Sequence, residues 1–165
     1  MSYQMFIQHF LNAITLGSLY ALIAIGYSMV YGILRLINFA HGEIFMLGAY
    51  FVFWGTTLFH LPWVAAVPVA IIATAFCGVL VDRCAYRPLR DAPRISALIS
   101  AIGVSFFLQN FAIVVFSAIP RPVYRPDWLV MPLLVHGVHF LPLTLVVPLI
   151  SFVLMLVVLY VVYKT

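Results

Sequence analysis

The chain has 165 residues, of which 66% are hydrophobic and only 7% are charged, and its mean hydropathy is +1.19. Soluble domains are about half apolar and roughly a quarter charged, so this composition excludes a cytosolic enzyme, a secreted module and a nucleic-acid-binding protein. The net charge is +4, but four of the eight Lys and Arg residues lie between Arg83 and Arg94, which is typical of a short loop on the cytoplasmic side of a membrane.

The first predicted membrane span, residues 6–34, contains no charged residue and is longer than the roughly 20 residues that cross the hydrocarbon core. We expect a tilted helix or a span with a broken extension. A polar segment at 35–43 follows, and the next apolar stretch, 44–59, is short. Part of the polar segment would then also lie within the membrane, as a possible broken helix at 35–43. The alternative is a solvated loop at the membrane interface.

Three further apolar spans, separated by two connecting segments, extend this pattern. We therefore predict an all-α polytopic membrane protein with about five transmembrane helices. A third span at 63–81 leads into a basic cytoplasmic loop at 82–94. A fourth span at 95–119 precedes a proline-rich connecting segment at 120–139, and the fifth span covers 140–163. The cytoplasmic basic loop carries four arginines: Arg83, Arg87, Arg90 and Arg94.

The distribution of Lys and Arg predicts the orientation. With the basic loop inside, Arg35 and Lys164 share its side, and Arg121 and Arg125 lie outside, which satisfies the positive-inside rule. The N-terminus is then outside and the C-terminus cytoplasmic. No Lys or Arg precedes Arg35, so the N-terminus lacks the basic region of a secretory signal peptide, and we expect the first segment to be retained as a membrane helix.

Small residues recur along the first span at helical spacing and predict a face for helix packing. They are Ala13, Gly17, Ala21, Ala24, Ser28 and Gly32. Gly48 and Gly55 repeat this spacing in the second span, and we interpret them in the same way.

Polar residues within apolar surroundings are the candidate functional residues. A carboxylate and an imidazole are tolerated in a membrane mainly where they line a cavity or pair with each other. Two adjacent amides in the fourth span point in different directions, so at least one should bond another helix, and lining of a pathway is the other reading. The candidate substrate-pathway residues are Asn38, His41, Gly42, Glu43, Gln109 and Asn110.

No pattern in the sequence predicts a metal site, a cofactor or catalysis. His41 and Glu43 are two residues apart and would point to different faces of a helix, whereas His136 and His139 have no carboxylate nearby. The two cysteines lack the paired spacing of a zinc or redox site. No nucleotide-binding loop or nucleophile motif occurs, so any ATP use is expected to belong to another chain.

Two blocks of sequence resemble the permease subunits of bacterial branched-chain amino acid ABC transporters, most closely the Liv H-type subunit. The blocks are GSLYALIAIGYSMVYGILRLINFAHGEIFMLGAY at 17–50 and DRCAYRPLRDAPRISALISAIGVSFFLQN at 82–110. By this resemblance, residues 38–43 match the family's motif after the first helix and residues 86–90 match its first cytoplasmic loop. No catalytic residue is carried over.

The resemblance implies a multi-pass subunit of an ATP-driven importer in the bacterial inner membrane, which passes leucine, isoleucine or valine to the cytoplasm by alternating access. The implied partners are a second homologous permease subunit, two ABC ATPase subunits and a periplasmic substrate-binding protein, besides the lipid bilayer. Family members usually continue further, so residues 1–165 are expected to form one partial transmembrane permease domain. The later helices and the ATPase-coupling loop are not included in it.

Three alternatives remain open at the level of sequence. One is a permease of the same family for urea or short amides. Another is an ion-coupled carrier or channel, in which His41 and Glu43 form an intramembrane proton or cation site. The third is a non-transporting structural membrane subunit.

Overall fold

The fold is described from a computed structural model. The described residues are 3–34, 37–90, 92–120, 122–123, 126–135 and 138–164. Some residues used above for orientation and for the metal question lie outside these ranges: Arg35, Arg121, Arg125 and His136.

Helices make up nearly all of the described chain, which confirms the predicted all-α membrane class. In chain order the elements are α1 (Tyr3–Leu34), α2 (His41–Thr57), α3 (Trp63–Val81), α4 (Arg94–Phe116), α5 (Asp127–Val130), β1 (Leu133–Val135), β2 (Val138–Phe140) and α6 (Leu143–Lys164). Four described segments are long and apolar enough to cross a membrane: Tyr3–Gly32, Trp63–Leu89, Ile95–Phe116 and Leu143–Lys164. The protein is therefore a multi-pass membrane protein.

Helix α2 corresponds to the second predicted span but is short. Its 17 residues give a length of about 25 Å, against a hydrocarbon core of about 30 Å. Among the described helices, four reach spanning length and α2 is the further apolar helix of the five expected. The exact number of spans and their orientation stay predictions.

Helix α2 also begins earlier than the sequence predicted. The polar segment was expected to run to Glu43, whereas the helix begins at His41, so the last residues of that segment form its first turn. Asn38 promotes this start, because its backbone oxygen accepts a hydrogen bond from the His41 N–H at 3.1 Å. Helix α1 ends at Leu34, before the break predicted at 35–43, and residues 41–43 of that predicted break are helical.

The basic segment after α3 is largely helical, where the sequence predicted a loop. A π-helical turn at Asp82–Tyr86 and a 3₁₀ turn at Arg87–Leu89 continue α3 without interruption. Pro88 has no N–H and clashes with the preceding turn of an α-helix, so it suits the first turn of a new helical segment but not the continuation of α3. The predicted loop at 82–94 is therefore wrong for residues 82–89.

The chain divides into two compact units. The terminal unit comprises Met1–Gly26 and Arg125–Thr165, and the central unit comprises Tyr27–Tyr124. Each has its own internal packing, and the candidate polar residues of the sequence analysis lie in the central unit.

Close contact between α2 and α3 in the central unit depends on two glycines. A methyl group on Gly48 would lie 3.2 Å from the Oγ1 atom of Thr74, and one on Gly55 would lie 3.2 Å from the Cβ atom of Ala66. Both distances are shorter than ordinary van der Waals contacts, so a side chain at either glycine would push the helices apart. The predicted packing role of Gly48 and Gly55 is confirmed.

Helix α2 packs against α4 through apolar and aromatic side chains. The buried members of this cluster are Ala40, Leu47, Leu108, Ala112 and Phe116. The Phe116 ring stacks on Tyr50 at 4.1 Å between centroids and contacts Trp54 at 4.5 Å. The second half of α2 therefore lies beside the end of α4.

In the terminal unit, α1 compensates for a proline in α6. Pro148 has no N–H, so the backbone oxygen of Thr144 lacks its usual helical donor. The Thr15 hydroxyl lies 3.2 Å from that oxygen and 2.9 Å from the oxygen of Leu11, and its single proton is shared between them. Such side-chain donors are what make a proline tolerable inside a membrane helix. A short antiparallel hairpin, with Leu134 opposite His139, precedes α6.

Candidate functional site

The polar residues before and within the first turn of α2 form the core of the candidate site, and Asn38 organises their backbone. Its side-chain Oδ1 accepts a hydrogen bond from the Ala40 N–H at 3.1 Å, which is how asparagine commonly initiates a helix. The same oxygen accepts a hydrogen bond from the Tyr86 hydroxyl at 2.6 Å. Ala40 is 0% exposed, so its backbone N–H is bonded to Asn38 within a buried part of this turn.

The π-helical turn after α3 delivers Tyr86 to this position. A π-helical turn holds one more residue than an α-helical turn, which rotates the following side chains around the helix axis. Tyr86 is only 7% exposed and reaches Asn38 across 48 positions of sequence. Nearby, the Ser100 hydroxyl of α4 donates to the Ala85 backbone oxygen at 3.2 Å. The predicted cytoplasmic segment and the polar motif are thus directly connected.

Glu43 connects the first turn of α2 to α4. Its Oε1 atom accepts one hydrogen bond from the Gln109 side-chain amide at 2.7 Å and another from the Ser105 hydroxyl at 3.2 Å. Ser105 and Gln109 are four residues apart, so they lie on the same face of α4. In the described part of the chain, the contacts of Glu43 include no cationic side chain.

These contacts place Glu43 beside the middle of α4. Ser105 is midway between the helix ends at Arg94 and Phe116, and Gln109 is one turn further on. At 1.5 Å per residue, both lie roughly 16 to 22 Å from Arg94 along the helix. The polar segment is therefore not confined to the ends of the surrounding helices. α2 begins beside the middle of α4 and runs in the same direction as α4.

The other candidate residues have different surroundings. The His41 ring packs edge-on against the Tyr27 ring, 4.7 Å between centroids. Gly42 is exposed and has no other side chain or distant backbone within 4 Å of the position that a Cβ would take. The Asn110 amide donates to the Phe106 backbone oxygen of its own helix at 2.7 Å. Of the two adjacent amides, Gln109 is thus the one that bonds another helix, as expected of at least one of them.

The basic residues and the small-residue face of α1 are mostly exposed. Arg83, Arg87 and Arg90 are exposed, and Arg94 begins α4. The six small residues of α1 are exposed as well: Ala13, Gly17, Ala21, Ala24, Ser28 and Gly32. A methyl group on Gly17 or Gly32 would meet no atom within 4 Å, so their role in helix packing stays a prediction.

Sequence reasoning missed three side chains that complete the site, namely Tyr27, Tyr86 and Ser105. Ser105 had a usable signal, because it precedes Gln109 by four residues and so shares its helical face. Tyr86 begins the block at 86–90 that the family resemblance marked, but only the fold brings it to Asn38, and only the fold brings Tyr27 to His41. Within the described residues, no three His, Cys, Asp or Glu side chains converge on a point where a metal could bind.

Comparison with known proteins assigns the chain to a family. BraD of Pseudomonas aeruginosa, a high-affinity branched-chain amino acid transport system permease protein, is 50% identical over 113 residues, which are 64% of this chain and 37% of BraD. LivH of Escherichia coli K12, with the same description, is 49% identical over 118 residues, with the same shares of each chain. LivH of Salmonella typhimurium is 50% identical over 114 residues, again 64% of this chain and 37% of the relative.

The chain thus spans a little over a third of the length of these relatives. No solved structure matches it. Residues 9–165 match the family described as the permease component of branched-chain amino acid transport systems. Because this match covers nearly the whole chain, the protein belongs to the branched-chain amino acid transport permease family.

Proposed function

We propose that this chain is a transmembrane permease subunit of an ATP-driven importer, through which leucine, isoleucine or valine passes to the cytoplasm. The observation that carries this proposal is the identity of about half over the matched region to relatives named as high-affinity branched-chain amino acid permeases. The polar cluster beside the middle of α4 supports it, because polar groups at that depth are costly unless they serve a pathway or a partner.

In this proposal the chain performs no chemistry of its own. Transport proceeds by a shift between inward-facing and outward-facing populations. The pathway is formed in part by Asn38, His41, Gly42, Glu43, Gln109 and Asn110. Glu43 accepts a hydrogen bond from α4, and Asn38 accepts one from Tyr86. These two bonds hold the start of α2, and the shift between the two populations can either break them or preserve them.

The proposal includes the partners and location that such an importer needs. These are a second homologous permease, two ABC ATPase subunits that bind and hydrolyse ATP, and a binding protein that delivers substrate from the periplasm. The location is the bacterial inner membrane, with the basic segment at 82–94 on the cytoplasmic side. Residues 1–165 would contribute one part of a transmembrane domain completed by further helices.

Uptake of radiolabelled leucine tests the function directly. Cells that lack this gene are compared with the same cells carrying residues 1–165, and with cells carrying the gene in its natural locus; labelled urea is measured in parallel. We expect deletion to abolish high-affinity leucine uptake and to leave urea uptake unchanged. If deletion abolishes urea uptake alone, the proposed amino acid substrates are refuted, but the family assignment is not. If deletion changes neither uptake under inducing conditions, active import by this chain is refuted.

A further inference from the structure

We infer that Glu43 is the acceptor for the ammonium group of the translocated amino acid, and that it binds this group through its second carboxylate oxygen, Oε2. The inference rests on the proposed function and adds the chemical group that the pathway recognises. It follows from three observations: the depth of Glu43, the use of its two oxygens, and the charge of its neighbours.

The position of Glu43 beside the middle of α4 makes a carboxylate without a binding partner energetically costly. It contacts Ser105 and Gln109 beside the middle of α4, a helix long and apolar enough to span a membrane. A carboxylate at such depth is costly and is usually paired or placed at a substrate or ion pathway. The buried apolar cluster of α2 and α4 includes Ala40 before Glu43 and Leu47 after it, so low-dielectric packing lies directly beside this side chain.

Among the described residues, the hydrogen bonds of Glu43 use one of its two carboxylate oxygens. Both donors, the Gln109 amide and the Ser105 hydroxyl, bind the same atom, Oε1. A carboxylate oxygen has two lone pairs, so two donors occupy Oε1, and neither bond uses Oε2. Glu43 itself is half-buried. The arrangement holds the carboxylate in a fixed orientation and presents Oε2.

The hydrogen-bond partners of Glu43 in the described part of the chain orient its carboxylate and are both neutral. Gln109 and Ser105 are neutral donors, and the described contacts bring no cationic side chain to the carboxylate. A zwitterionic amino acid carries an ammonium group with a full positive charge and three hydrogen-bond donors. Such a group can both neutralise the carboxylate and donate a hydrogen bond to it. A neutral amide such as urea carries no such charge. Glu43 would therefore favour amino acids over neutral amides within the pathway.

The near-isosteric variant Glu43→Gln separates charge from hydrogen bonding. Its side-chain oxygen can still accept from Gln109 and Ser105, so the contact between α2 and α4 is kept, but the negative charge is lost. The variant is expressed in the complete transporter, in cells that lack the wild-type gene. We expect leucine uptake at equal membrane level to fall by about tenfold or more, as for the loss of a charge-assisted hydrogen bond.

A swapped pair provides the second variant. Glu43→Gln combined with Gln109→Glu restores the carboxylate on the other side of the same 2.7 Å hydrogen bond, and we expect it to recover a measurable part of the uptake lost by the single variant. Thr56→Val is the matched control, because it alters a hydroxyl of α2 that donates to backbone oxygens of its own helix, those of Val52 and Phe53; it should keep uptake near the wild-type level.

The outcomes distinguish this inference from the proposed function. If the wild-type transporter takes up no leucine, the proposed function fails. Wild-type uptake together with undiminished uptake by Glu43→Gln overturns only the ammonium-binding role. The role is also overturned if neither variant assembles, since Glu43 would then serve helix pairing. If a protonophore stops wild-type uptake while ATP is maintained, the ATP-driven importer of the proposed function is refuted, and the ammonium-binding role that rests on it fails as well.

Discussion

At the scale of single residues, two adjacent amides show how the fold gives different roles to similar side chains. Gln109 reaches across to Glu43 on α2, whereas Asn110 bonds the backbone of its own helix. Successive residues of a helix are about 100° apart around its axis, so only one of them can face α2. The amide pair thereby supplies an internal comparison within α4.

Replacement of these amides by leucine should separate the two roles. We expect Gln109→Leu to lower leucine uptake roughly tenfold, because the carboxylate loses its shortest hydrogen bond and the fixed orientation of Glu43. We expect Asn110→Leu to lower uptake less than Gln109→Leu does, because the hydrogen bond of Asn110 is local to α4 and the bond from Gln109 to Glu43 is kept. Transport assays at matched membrane levels measure both. Equal losses in the two variants would show that Gln109 has no special relation to the pathway.

At the scale of elements, helices contact each other where side chains are small or where a backbone oxygen needs a donor. α2 and α3 approach closely at Gly48 and Gly55, and α1 donates to α6 where Pro148 removes a backbone donor. In a membrane, apolar contact between helices replaces equally apolar contact with lipid, so these local features determine which faces meet.

The role of Thr15 predicts a thermodynamic coupling with Pro148. Thr15→Val removes the donor to the Thr144 oxygen and should destabilise the protein by about 1 kcal/mol. In a Pro148→Ala background the restored N–H supplies that oxygen, so the same substitution should cost close to nothing. Unfolding of the purified variants in detergent, analysed as a double-mutant cycle, measures the coupling. An equal cost in both backgrounds would contradict the proposed compensation.

Two glycines in different surroundings should respond in opposite ways to enlargement. Gly55→Leu forces a side chain into Ala66 and should destabilise the protein by about 1 to 3 kcal/mol. Gly17→Leu meets open space within the described structure and should leave stability unchanged or raise it slightly, because glycine is a poor helix former. Thermal unfolding measures both.

The small-residue face of α1 can be tested with the same Gly17→Leu variant. If this face packs against another helix of the complete transporter, the variant should be stable by itself but co-purify less with its partner subunits. Normal co-purification of the variant with its partner subunits would contradict the packing role predicted for this face.

At the scale of the whole molecule, the charge distribution predicts that the two ends of α3 lie on opposite sides of the membrane. His60 precedes α3 and Arg90 follows its helical extension, and both are exposed. The positive-inside rule places Arg90 in the cytoplasm. In a variant with Cys77 and Cys84 replaced by serine, a cysteine at position 60 should react with an impermeant maleimide on intact cells. A cysteine at position 90 should react only after permeabilisation, and the reverse pattern would invert the topology.

The sequence by itself determined the class of protein, the family and the position of most helices. Long apolar runs can satisfy their backbone polar groups in a membrane only as helices, so α3 and the body of α1 are readable without a structure. Helix ends were less predictable where local hydrogen bonds decide them. The start of α2 at His41 depends on Asn38, and the helical turns after Val81 depend on how Tyr86 is held.

Only the tertiary structure decided which polar groups meet. Glu43 and Gln109 are separated by 66 positions, and Asn38 and Tyr86 by 48, and no spacing rule along one helix relates such distant residues. The depth of Glu43 also required the structure, because depth depends on which turn of α4 lies beside α2. Apolar composition specifies that a helix lies in the membrane, but contacts between helices specify where along its length a carboxylate is placed and what it can bind.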